Sequence, residues 1–166
     1  PAHDRAPLPA ACLAQFAALC QRRAAGEPVA YLTGVKEFYG LPLAIDARVL
    51  DPRPDTEVLV DWALEVLAGR AAPRVLDLGT GSGAIAITLA CERDDLRIVA
   101  TDRSEAALAI ARRNAEALCP RALQTGRLEL RAGDWWSCIG DGERFDLVAS
   151  NPPYVADDDP LLREGD

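Results

Sequence analysis

Residues 74–87 read RVLDLGTGSGAIAI. An apolar run, RVLDL, ends in three glycines within five positions (Gly79, Gly81 and Gly83), and the chain resumes at once as AIAITLACE. This is a buried strand, a turn too tight for side chains, and a helix. The pattern repeats outward. RIVATD (97–102) reads as a second strand, and SEAALAIARRNAEAL (104–118) as a helix with Ser104 at its N-cap. RLELRAGD (127–134) alternates as a third strand and FDLVASN (145–151) closes as a fourth. A β-α-β-α-β-β order with apolar strands predicts an α/β fold built on a doubly wound, Rossmann-like, largely parallel sheet. Ligands of such sheets bind beyond the carboxyl ends of the strands. There the four strands run out at Asp77, Asp102, Asp134 and Asn151, all short polar residues.

Upstream of the sheet the chain is less regular. Residues 9–24 place Cys12, Leu13, Phe16, Leu19 and Cys20 at helical spacing, with Pro9 suited to the first turn and Gly26 to the stop. Over residues 29–50, Gly34, Gly40 and Pro42 divide short apolar pieces (VAYLTG, EFYG, LPLAID), which read as a hairpin or bent strands. A second helix opens at Pro54, with Asp55 and Glu57 at the positive end of its dipole. Its apolar stripe is Val58, Leu59, Trp62 and Val66, and Gly69 ends it.

Bulk composition narrows the function. The 166 residues carry a net charge of −8, which disfavours broad binding to a phosphate backbone. The arginines at 103, 112, 113, 121, 127 and 131 read as solvated surface. Five cysteines without a CxxC pair suggest neither a disulfide framework nor a zinc site, and no metal is expected. Reduced thiols in the cytoplasm are the simplest reading. No apolar run is long enough to span a membrane. The one histidine, His3, leaves no histidine base for catalysis. The chain opens on Pro1 and has no methionine, which reads as a processed chain or a fragment.

The glycine loop permits two cofactor classes. Gly79, Gly81 and Ala84 satisfy the dinucleotide spacing G-x-G-x-x-G/A. S-adenosylmethionine carries cationic groups instead of a pyrophosphate, so an acid at the strand end, Asp77, would pair with it and would repel a dinucleotide. Asp102, 25 residues further on, is placed to accept two ribose hydroxyls. Asp134 beside Trp135 suits an adenine ring. The last motif is Asn151-Pro152-Pro153-Tyr154. The Asn151 side-chain oxygen and the Pro152 carbonyl are both acceptors. Held rigid by the prolines, they suit a planar NH2 group, with Tyr154 to stack on the flat group that carries it. Transfer of a methyl from sulfur to nitrogen then depends on alignment.

Taken together, GEPVAYLTG (26–34), PRPDTE (52–57), VLDLGTGSGAIAI (75–87), GDWW (133–136) and SNPPYV (150–155) resemble the protein-(glutamine-N5) methyltransferases of peptide chain release factors. The resemblance covers roughly residues 26–162. It implies a class I S-adenosylmethionine-dependent enzyme that methylates the glutamine of a Gly-Gly-Gln loop, with a release factor as protein partner, no membrane and no direct nucleic acid. It assigns Gly79, Thr80, Gly81, Ser82, Gly83, Asp102, Trp135 and Asn151 to the cofactor. Asn151, Pro152, Pro153 and Tyr154 fall to the substrate glutamine, and Arg53 and Pro54 to the mouth of the site. It divides the chain into the last helix of an N-terminal domain (1–27), a β-hairpin linker (28–52) and a catalytic domain (53–166), truncated at both ends. Two alternatives stay open: an adenine-N6 or other amino methyltransferase acting on nucleic acid, which shares the NPPY motif, and a nicotinamide-binding oxidoreductase or non-catalytic nucleotide-binding module, which leaves that motif idle.

Overall fold

The computed structural model describes residues 9–152. Its order is α1 (Ala10–Ala24), α2 (Val29–Thr33), β1 (Val35–Phe38), β2 (Leu41–Ala44), α3 (Asp55–Val66), β3 (Arg74–Leu78), α4 (Ala84–Glu92), β4 (Arg97–Asp102), α5 (Glu105–Leu118), α6 (Pro120–Gln124), β5 (Leu128–Ala132) and β6 (Leu147–Ser150). The last four strands form one sheet in the order β5-β4-β3-β6, and every pairing is parallel. The chain winds outward from β3 through β4 to β5, then returns to the other side of β3 as β6. The carboxyl end of β3 is therefore the switch point, where a crevice opens beneath diverging connections. The glycine turn sits there.

The parallel strands are buried on both faces, as continuous apolar runs require. Val75, Leu76, Ile98 and Val99 are almost fully enclosed. Helix α4 is buried along nearly its whole length because AIAITLA carries nothing polar but Thr88, whose hydroxyl donates to the Ala84 carbonyl at 2.7 Å. Ser104 caps α5, accepting from the Ala107 N–H at 3.2 Å.

Three local expectations are corrected. VAYLT is a helical turn, α2, not a strand piece. Pro28 stands at its N-cap, Gly34 ends it with φ +74°, and the Thr33 hydroxyl donates to the Val29 and Ala30 carbonyls. Helix α3 buries Thr56, Val60 and Ala63, whereas Val58, Trp62 and Val66 of the expected stripe face outward. The small residues let α3 approach the alanine-rich α4 closely. In α1 none of the apolar stripe is buried, and only Leu19 is half-buried.

The hairpin does form. Phe38 pairs with Leu41 around Tyr39-Gly40, both in the left-handed region (φ 52° and 76°), which matches a two-residue type I′ turn. It is more than a linker. Phe38, Leu43, Ile45 and Val49 belong to the same core as β3, α4 and α5. Tyr39 is stapled to α3: its N–H donates to Glu57 at 2.9 Å and its hydroxyl to Asp61 at 2.7 Å. Asn114 of α5, 2% exposed, closes the arrangement. Its Oδ1 accepts from the Ala44 N–H at 2.8 Å, and its Nδ2 donates to the Ala44 and Ser82 carbonyls, each at 2.9 Å. One side chain thus joins the hairpin edge to the glycine turn.

Candidate functional site

A cavity of about 330 Å³ opens at the carboxyl end of the sheet. Every strand of the parallel sheet contributes to its wall: Gly79 and Gly81 after β3, Asp102 to Ser104 after β4, Gly133 to Trp135 after β5, and Asn151 and Pro152 after β6. Arg48, Val49 and Leu50, which follow the hairpin, form a further wall.

The glycine turn is shaped as a bare backbone surface. Gly79 and Gly81 have φ of +73° and +56°, and a Cβ added at either would meet nothing within 4 Å. The turn is anchored from behind: the Gly79 and Thr80 N–H groups donate to the Thr101 carbonyl at 2.9 and 2.8 Å. Gly83 has a different role. Its Cβ would lie 2.6 Å from Ile87 Cδ1, so glycine here serves the packing of α4.

Asp102 lies at the cavity wall, half-buried. Its Oδ2 accepts from the Gly81 N–H and its Oδ1 from the Ser104 N–H, both at 2.9 Å. The carboxylate is therefore rigidly set, and each oxygen retains a further lone pair for a ligand hydroxyl. Trp135, half exposed, holds a left-handed backbone (φ 48°) beside Asp134. The turn is tied by Ser137, whose hydroxyl accepts from the Asp134 N–H at 2.8 Å. A non-glycine residue in this region carries strain that the surrounding hydrogen bonds must offset.

Asn151 is half-buried, and its Nδ2 donates to the Thr56 hydroxyl at 2.7 Å. The preceding residue is also pinned, since the Ser150 hydroxyl donates to the Leu78 carbonyl at 2.8 Å. With Nδ2 turned to Thr56, no described residue holds the oxygen of the amide.

Four of the expected cofactor residues do not line the cavity. Asp77 is fully buried under the turn, where its Oδ2 accepts from the Thr80 hydroxyl at 2.6 Å. Asp77 thus stands behind the loop and not at the cavity wall, where the sequence reading has it meet a cofactor cation. Thr80 and Ser82 are buried with it, and Gly83 faces α4. Pro153 and Tyr154 lie outside the described residues. Conversely, Thr56, Arg48, Val49, Leu50 and Arg103 were not among the expected site residues. The PRPDTE segment was the available signal for Thr56. Nothing in the composition of 46–50 marks that stretch as a wall.

Burial pushes the Asp77 carboxyl up to about 6, and the nearby Asp102 charge acts in the same direction, while the Thr80 hydrogen bond and the Ala86 backbone oppose it. Its Oδ1 has no hydrogen-bond partner. Between pH 4 and pH 6 the unfolded chain releases this proton and the folded chain keeps it, so stability falls as pH rises across that window. Asp77→Asn removes the slope. Relative to wild type, the variant should gain on the order of 2–3 kcal/mol between pH 4 and pH 7.5. Urea unfolding of the two proteins at both pH values checks this; a constant difference between them contradicts it.

The methyltransferase small domain family model matches residues 55–162, and the PrmC N-terminal domain model matches residues 1–34. A release factor glutamine methyltransferase of Burkholderia pseudomallei is 54% identical over 160 residues, covering 96% of this chain and 56% of that protein. One of Bordetella pertussis is 50% identical over 165 residues, covering 99% and 59%. The chain therefore spans somewhat over half the length of these curated relatives. Among solved structures, a SAM-dependent methyltransferase from Agrobacterium tumefaciens superposes with a TM-score of 0.58 at 19% identity, over 72% of this chain and 39% of that one. At that identity the likeness is one of fold.

Proposed function

We propose, from the premise that the chain belongs to the methyltransferase small domain family, that it is the S-adenosylmethionine-dependent part of an enzyme that methylates the side-chain nitrogen of a release-factor glutamine. The observation that carries this reading is the common cavity: the bare glycine backbone and Asp102 form one part of its wall and the Asn151-Pro152 acceptors another. The curated relatives, with their printed substrate, support it.

The residues present suit the cofactor. Gly79 and Gly81 offer a surface that any side chain would occupy. Asp102 offers carboxylate lone pairs at the wall for a ribose, and Trp135 an exposed indole for an adenine. The unpartnered Oδ1 of Asp77 gives a negative potential behind the loop, which favours a cationic ligand over a pyrophosphate. When bound, S-adenosylmethionine supplies an electrophilic methyl group on a sulfonium. The chain supplies position. Asn151 Oδ1 and the Pro152 carbonyl accept the two hydrogens of the glutamine NH2 and hold its nitrogen toward the cofactor side of the cavity.

The nucleic-acid alternative is weaker on electrostatic grounds. The net charge is −8, and two of the clustered arginines are already paired: Arg127 with Asp94, and Arg131 with Glu129 and Glu143. A nicotinamide enzyme would leave the Asn151-Pro152 wall without a task. Among the described residues, no His, Cys, Asp and Glu cluster could hold a metal and no helix is long and apolar enough to cross a membrane. A release-factor substrate implies work in the cytoplasm.

Incubation with labelled S-adenosylmethionine and a release factor tests the reading. The label should appear on the glutamine of the Gly-Gly-Gln loop. Label on nucleic acid instead, or none on that glutamine, overturns it.

A further inference from the structure

We infer that Thr56 is a positioning residue for the transfer, because its hydroxyl pins the Asn151 amide at the cavity wall through Nδ2. The inference rests on the reading of Asn151 as the receptor for the substrate NH2. A primary amide is nearly symmetric in shape but not in chemistry: rotation by half a turn exchanges an acceptor for a donor. An incoming NH2 needs the acceptor. With Nδ2 turned into the cavity instead, donor would meet donor and the substrate nitrogen would be repelled.

Thr56 anchors the amide: its hydroxyl can accept or donate, and here it accepts from Nδ2. Its Oγ1 lies 2.7 Å from Nδ2, and the residue is 7% exposed, so water does not compete freely for the hydroxyl. It is also rigidly placed: the Thr56 N–H donates to the Arg53 carbonyl at 2.9 Å in the first turn of α3. That turn is tied in its own right to the hairpin, through Glu57 and the Tyr39 N–H. Thus a residue 95 positions away in sequence holds the side chain at the β6 tip. The Thr56 hydroxyl thus ties the PRPDTE segment to the Asn151 side chain.

Thr56→Val keeps the shape and deletes the hydroxyl, and Thr56→Ser keeps the hydroxyl. The first readout needs no catalysis. In wild type, one Asn151 side-chain N–H, assigned by its loss in Asn151→Ala, should exchange slowly with solvent. Thr56→Val should lose this protection and Thr56→Ser should retain it. The second readout is kinetic. In Thr56→Val, kcat on the release factor should fall roughly 30-fold, with affinity for S-adenosylhomocysteine within about twofold of wild type. Thr56→Ser should restore most of the loss. Slow exchange that persists in Thr56→Val overturns the inference, and so does a wild-type kcat in that variant. If wild type itself transfers no methyl to the release factor, the functional reading fails, and the exchange measurement alone decides whether Thr56 pins Asn151.

Discussion

Asn151→Ala should lower turnover on a release factor by about 10³-fold while leaving S-adenosylhomocysteine affinity within about threefold of wild type. The asymmetry follows from the layout of the cavity. The cofactor side is built from the ends of β3, β4 and β5, where the Gly79 and Thr80 amides are held by Thr101 and Asp102 is held by Gly81 and Ser104. None of those contacts involves Asn151. The substrate side rests on the β6 tip, and truncation there removes one of the two acceptors and also leaves the Thr56 hydroxyl without its donor. A glutamine NH2 would then have only the Pro152 carbonyl and would rotate freely about it. Methyl transfer in line from sulfur is sensitive to such freedom, because alignment supplies several kcal/mol of the barrier reduction. Single-turnover kinetics with saturating substrate, paired with calorimetric titration of S-adenosylhomocysteine, separates the two effects. A variant that turns over at the wild-type rate removes Asn151 from the reaction. A variant that loses the cofactor analogue as well shows the two sides of the cavity to be one.

The parallel sheet and the glycine turn were legible in sequence because they depend on local signals. A strand buried on both faces must be apolar throughout, as in RVLDL and RIVATD, and a turn with three left-handed residues must use glycine. Helix boundaries followed Pro54 and Ser104 for the same reason. Legibility failed where packing partners decide. Helix α3 shows its largest apolar residues, Trp62 among them, to solvent and buries Thr56 and Ala63, because the neighbouring α4 presents alanines and accepts only a close approach. Burial of Asp77 escaped detection because a carboxylate at a strand end reads the same whether it faces a ligand or the underside of a turn. Thr56 was hidden for a simpler reason: its partner is 95 residues away, and a threonine in a first helical turn looks like a capping residue.

Asn114 illustrates the same limit, and its removal should have the largest effect on stability of any single change considered. In sequence it is one polar residue in SEAALAIARRNAEAL, beside two arginines, and nothing separates it from the solvated face of α5. In the fold it is 2% exposed and makes three hydrogen bonds, two to the backbone of Ala44 and one to the Ser82 carbonyl. The amide replaces the neighbouring strand that β2 lacks on that side, and it carries the hairpin onto the glycine turn. Asn114→Ala deletes all three bonds at once and leaves the Ala44 amide and carbonyl and the Ser82 carbonyl without their partner. Each such orphan costs about 1–3 kcal/mol, so a loss of about 4 kcal/mol is expected. Asn114→Leu should do no better, since filling the volume satisfies none of the backbone groups. The damage should also reach the site: Val49 and Leu50 line the cavity from the segment that follows Ala44, and Ser82 lies in the turn that supports Gly79 and Gly81. Urea unfolding monitored by tryptophan fluorescence gives the stability change, and S-adenosylhomocysteine titration under native conditions gives the functional one. A loss below about 1 kcal/mol, the range of an ordinary surface substitution, would mean that the hairpin is not held by this residue.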